Sequence, residues 1–214
     1  MPEYARPVIP SRVYRDAAGT VIDYGNRRQG ESVPDVRHGT VSNTDRFEPL
    51  TLVARTLVDH LASTYDVTVS SEPHFARAGV ELVEAVLIAP RDPRSASIVI
   101  GFTTLPGVIV RAGALNEFAF PPCGCDACDE RVGDLIGRLE DLIFTVVRGG
   151  YSEAIDGSMV SYSLRHPGGW QSGECHSGTF PAERLAEARE VLARIPDRWA
   201  PWALRAAPAV SPAG

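Results

Sequence analysis

From residue 132 onward, Val132, Leu135, Ile136, Leu139, Leu142, Ile143, Val146 and Val147 recur at i, i+3, i+4 and i+7. That spacing lines one face of a helix, and Gly149-Gly150 marks its end. Leu50, Val53, Ala54, Leu57, Leu61 and Tyr65 repeat the pattern earlier in the chain. There Asp45 and Glu48 have the spacing of a capping box, while Pro49 suits the first helical position. A third helix is predicted to open near Thr179 and Pro181, to carry Leu185, Ala188, Leu192 and Ile195, and to stop before Pro196. Between the first two helices the period shortens. "DVTVSS", "VELVEAVLIAP", "SIVIGFTT", "GVIVRAG" and "LNEFAF" read as strands, and the unbroken Ile98-Val99-Ile100 run suits a strand buried on both faces. "YSEAID", "MVSYSLR" and "GWQSGECH" read as three further strands.

The links "RDPRSAS" and "TLPG" are short enough for antiparallel neighbours, and the β-helix-β alternation of a parallel sheet is missing. The expected fold is therefore α+β, a mainly antiparallel sheet with about three packed helices and an N-terminal arm. Residues 1–44 form that arm, with "VYRDAAGTVIDYGNR" as a hairpin turning at Gly19 and a polar, Gly/Pro-punctuated loop after it. Residues 45–205 form a single domain, and residues 206–214 a frayed tail.

At 214 residues and 44% hydrophobic content, the chain can build a core without staples. A formal charge of -6 argues against nucleic-acid binding, which needs a positive surface to displace counterions. All 21 basic residues are arginine, so Schiff-base and P-loop chemistry are excluded. The N-terminal stretch lacks the apolar segment of a signal peptide, and no apolar run approaches the ~20 residues that span a bilayer. The expected location is the cytoplasm, with no membrane association and with the thiols reduced.

Chemical interest concentrates in "FPPCGCDACDE". Cys123, Cys125 and Cys128 supply three thiols from one turn, stiffened by Pro121-Pro122 and reversed at Gly124. Zinc takes about four such ligands at tetrahedral angles. Cys175 or His176 of "GECHSG" offers a fourth, with Asp126 or Asp129 as oxygen substitutes. Cys128 is expected near the start of the next helix, where free N–H groups favour a thiolate. Two rivals stand beside zinc. Cysteine is a small apolar residue that often only packs, and Cys125 with Cys128 forms a Cys-x-x-Cys pair able to do redox chemistry.

Other constellations carry less. There is no Gly-x-Ser-x-Gly elbow. His166, Cys175 and His176 are close in sequence, which is weak ground for a Cys-His nucleophile. Glu140-Asp141 and Glu81/Glu84 read as solvated faces, and Arg184, Arg189, Arg194 and Arg198 as an exposed ion-paired helix. Trp170, Trp199 and Trp202 are candidates to anchor the C-terminal segment.

"VIDYGNR", "DRFEPL", "LASTYDV", "LPGVIVRAG" and above all the Pro-Cys-Gly-Cys-Asp-Ala-Cys-Asp-Glu motif resemble the landmarks of an uncharacterised actinobacterial family of unknown function. The resemblance implies a shared domain and a shared cysteine site, and no reaction. The expected function is that of a non-enzymatic interaction or regulatory domain, with a protein partner and a structural zinc knuckle. The alternative is a thiol enzyme or redox sensor using Cys125 and Cys128.

Overall fold

The computed structural model describes residues 3–27, 39–195 and 197–206. The expected frayed tail beyond residue 206, much of the polar loop (28–38) and Pro196 lie outside the described residues.

The fold is α+β, and every ladder between its strands is antiparallel. In the arm, β1 (Tyr14–Arg15) and β2 (Val21–Ile22) make the expected small hairpin. β3 (Val67–Ser71), β4 (Leu82–Pro90), β5 (Ile98–Thr103), β6 (Gly107–Ala112) and β7 (Asn116–Phe120) then form a five-stranded meander in chain order. The later strands do not extend it. β8 (Tyr151–Asp156), β9 (Met159–His166) and β10 (Gly169–His176) make a separate three-stranded sheet, so one expected sheet is in fact two.

Three helices cover these sheets: α1 (Glu48–Thr64), α2 (Val132–Val147) and α3 (Ala182–Leu192). Leu50, Leu57 and Leu61 of α1 and Leu135, Leu139 and Ile143 of α2 are buried in one cluster with Ile88, Ile98, Ile100, Val108 and Val110 of the meander. Each such side chain contributes about 1.5–3 kcal/mol. The opposite face of the meander buries Val99 and Ile109 beneath Phe75 and Val80. β5 is thus covered on both sides, as its unbroken apolar run requires. Leu185 and Ala188 of α3 pack with Leu115 and Val160 in a smaller cluster.

Several expectations based on local sequence change once distant residues arrive. The capping box does not form. A 3-10 turn, Thr44–Phe47, leads into α1 with Pro49 in its first turn and no side-chain cap. Asp45 and Glu48 both pair with Arg12 of the arm instead. Glu140 is not on a solvated face: Arg6 clamps it bidentately, with Nε at 2.9 and 3.0 Å from its two oxygens. Arg184 turns inward to Glu117 of β7 at 2.8 Å, away from the other charges of its helix. Trp199 and Trp202 enter the core, whereas Trp170 is 71% exposed on β10 and anchors nothing of the C-terminal segment.

The junction between α2 and β8 is tight. A Cβ on Gly150 would stand 2.2 Å from the carbonyl oxygen of Arg165, which is backbone and has little room to yield. Gly150→Ala is therefore expected to lower stability by about 2 kcal/mol by forcing β8 and β9 apart. Chemical denaturation checks this, and an unchanged midpoint would contradict it.

Candidate metal centre

The cysteine turn follows directly from β7. The peptide bond between Phe120 and Pro121 is cis, and Gly124 adopts φ 79°, a left-handed conformation that L side chains rarely adopt. The backbone N–H of Cys128 closes the turn on the carbonyl of Cys125 at 3.2 Å. α2 begins only at Val132, so Cys128 does not stand at a helix start and gains nothing from the helix dipole. Its local partners are other sulfurs.

Cys123 Sγ lies 3.1 Å from Cys125 Sγ, which lies 3.5 Å from Cys128 Sγ. The three sulfurs all fall within 4.8 Å of one another. Tetrahedral zinc with Zn–S bonds of about 2.3 Å separates its sulfurs by about 3.8 Å. The turn therefore already holds the thiols at near-ligand spacing. Cys125 is buried, while Cys123 and Cys128 are exposed, so the cluster sits at the surface with one sulfur inward.

The thiols perturb one another. The hydrogen bond from Cys123 does most to bring Cys125 down to about 7, helped by the N–H groups of Cys128 and Gly39 and opposed by burial. The bond to Cys125, then burial, pushes Cys128 up to about 12. One thiolate is favoured here and a second is resisted, because like charges a few ångström apart repel. A bound dication removes that penalty.

Two aspartates read as possible oxygen ligands serve the turn differently. Asp126 accepts from Ser42 Oγ at 2.8 Å, from Ser42 N at 3.3 Å and from Arg46 Nη1 at 3.4 Å. Its own backbone N–H donates to Thr40 O at 2.8 Å. Asp129 accepts from Arg27 N at 3.0 Å and from Arg27 Nε at 2.6 Å. Arg27 Nη2 also reaches Asp126 O at 2.9 Å. Arg46 is buried, with its guanidinium 4.1 Å from the Tyr24 ring centre and 4.3 Å from that of Phe47, and it donates to Gly124 O at 3.0 Å. The acids of the motif are thus anchors that hold the knuckle against the arm. Arg27, Ser42 and Arg46 were not identifiable from the sequence; the only signal was that acids set in a tight cysteine turn need cationic partners if they are buried, as Asp126 and Asp129 are.

Cys175 and His176 do not join this group. They end β10 opposite Val160 and Met159, in the other sheet, and as neighbours on a strand they face opposite ways. Cys175 packs near Leu115, before the start of β7, whereas the knuckle follows that strand's end. His176 Nδ1 accepts from Gly178 N at 3.1 Å. His166 pairs with Gly169 at the far end of the same hairpin, so no Cys-His nucleophile assembles. Among the described residues, Cys123, Cys125 and Cys128 form the one cluster of three or more metal-ligating side chains. No helix there is long and apolar enough to cross a membrane.

No curated protein and no solved structure matches the chain. A family model described as a family of unknown function, DUF6226, matches residues 10–206. That span takes in the hairpin, both sheets, all three helices and the cysteine turn with its anchors. The chain belongs to this family of unknown function, DUF6226.

Proposed function

We propose that this is a non-enzymatic cytoplasmic interaction or regulatory domain that binds zinc through the thiolates of Cys123, Cys125 and Cys128. The observation that carries the reading is the convergence of three sulfurs within 4.8 Å on a turn whose flanking acids are tied to arginines. A packed apolar turn would bury all three cysteines, and here two are exposed. Soft thiolates select zinc over oxygen-seeking cations such as magnesium and calcium. The metal staples the turn that connects β7 to α2. With two ligands at the surface, the centre also shapes what a protein partner would meet.

The test is metal analysis of the protein purified without chelator or nickel, beside a variant with all three cysteines changed to serine. About one zinc per chain, absent from the variant together with a drop in melting temperature, is expected. Zinc retained by the variant would remove these residues from the assignment.

A second reading, a reactive thiol centre, draws on the lowered Cys125 pKa and the exposed Cys123 beside it. It requires a metal-free native protein with one rapidly alkylated cysteine.

A further inference from the structure

Away from the knuckle, a cleft of about 680 Å³ opens between the start of β7, the end of β10 and the N-terminus of α3. Two arginines from distant parts of the chain line it. Arg77 comes from the irregular segment between β3 and β4, and Arg184 from the first turn of α3. Each buries a guanidinium nitrogen that meets no acceptor, Nη1 of Arg77 and Nε of Arg184. Buried donors without acceptors are rare in folded proteins, and two on side chains that line one cavity mark it as the place where a turn of each guanidinium would meet an acceptor.

The charges around the cleft define that acceptor. Glu117 Oε1 lies 2.8 Å from both Arg111 Nη2 and Arg184 Nη1, so one negative charge is shared by two cations. Arg77 adds a third cation, and Glu174, also lining the cleft, offsets one. Glu153, which also acts on Arg184, brings the acids to three against three arginines, so no charge is in excess and what draws a ligand is the unmet N–H groups. Phe180, whose ring centre lies 5.6 Å from the Arg184 guanidinium, and Pro181 give the cleft an apolar side. Burial and the neighbouring Arg111 already hold the pKa of Arg184 below its usual value, and an added anion offsets the repulsion from Arg111.

We infer that this cleft binds a small monoanionic carboxylate carrying an apolar body, with its oxygens accepting from Arg77 and Arg184 after a small rotation of each guanidinium. A carboxylate matches the paired N–H geometry of arginine, and a single charge meets the least repulsion from Glu117, Glu153 and Glu174. Glu174 disfavours a dianion such as phosphate. Cys175, set aside as a metal ligand, belongs to the wall of this cleft, where its sulfur lies 3.9 Å from Thr179 Oγ1. The inference is independent of the metal reading, since none of the three knuckle cysteines lines the cleft.

Isothermal titration calorimetry of the full chain with benzoate and, separately, with inorganic phosphate tests it. Saturable benzoate binding at one site is expected, with phosphate much weaker. Arg77→Gln should weaken benzoate binding at least about tenfold and leave the melting temperature unchanged, because Nη1 holds nothing in the free protein. Arg184→Gln should do the same to binding, although it also removes bonds to Glu117 and the Leu115 carbonyl. Absent benzoate binding, native affinity in Arg77→Gln, or a preference for phosphate would each overturn the assignment.

Discussion

Replacing Glu153 by alanine is expected to lower the stability of the fold by about 4 kcal/mol, which would leave little of a typical domain's margin. Glu153 is the acceptor on which three parts of the chain meet. Its carboxylate takes the backbone N–H groups of Ala114 and Leu115 at 2.6 and 3.1 Å, and Asn116 Nδ2 at 2.9 Å. It also takes Trp199 Nε1 at 3.2 Å and stands 3.1 Å from the Tyr151 hydroxyl. Alanine would leave several buried donors without a partner and a cavity beside them.

The same carboxyl has a pH signature. Burial raises its pKa above the ordinary glutamate value, against the pull of its hydrogen bonds. Between the ordinary value and the raised one, the folded chain keeps a proton that the unfolded chain has lost. Stability from this group is therefore complete below the ordinary value and declines as pH rises through the raised one. Glu153→Gln should be less harmful than alanine and should remove this segment of the stability–pH curve. Urea melts across that range decide it; a slope retained by the glutamine variant would assign the titration to another group.

Removing Arg46 is expected to be nearly as severe, and to reach the metal. Arg46→Ala leaves Asp126 without its buried cation and removes the donor to the Gly124 carbonyl. Breaking a buried pair on one side typically costs about 3 kcal/mol or more. The knuckle would also lose the contact that fixes the reversal between Cys123 and Cys125. Zinc affinity should fall about 10- to 100-fold, the usual range for residues that orient ligands without touching the metal. Lysine should not restore it, since an ammonium cannot stack between Tyr24 and Phe47 while bonding the Gly124 and Ser42 carbonyls. Competition with a chelator measures this. Undiminished zinc affinity in a folded Arg46→Ala protein would confine the residue to a packing role.

The elements of this protein were legible in its sequence because each is governed by contacts near in the chain. The i, i+3, i+4 recurrence from Val132 to Val147 became α2, and the apolar run at Ile98–Ile100 became a strand with neither face in water. Periodicity and turn chemistry suffice there, since an amphipathic segment has one way to hide its apolar side. The three cysteines were legible for the same reason: six consecutive residues cannot place their thiols far apart.

Charge partners and the division of the sheet were decided only by the tertiary structure. Glu140 looked solvated because nothing local covers it; Arg6, 134 positions away, does. Cys175 and His176 looked like ligands because zinc needs a fourth, yet the β9–β10 register carries them into the other sheet, away from the knuckle. Asp126 and Asp129 looked like ligands because they stand beside cysteines, yet burial made them seek arginines brought in by the arm and by the 3-10 turn before α1. A buried charge is stabilised only by a partner within a few ångström, whatever its distance along the chain. By itself the sequence determined the helices, the strands and the cluster of thiols. Which acids met which arginines, and which cysteine was left out of the cluster, depended on how those elements packed.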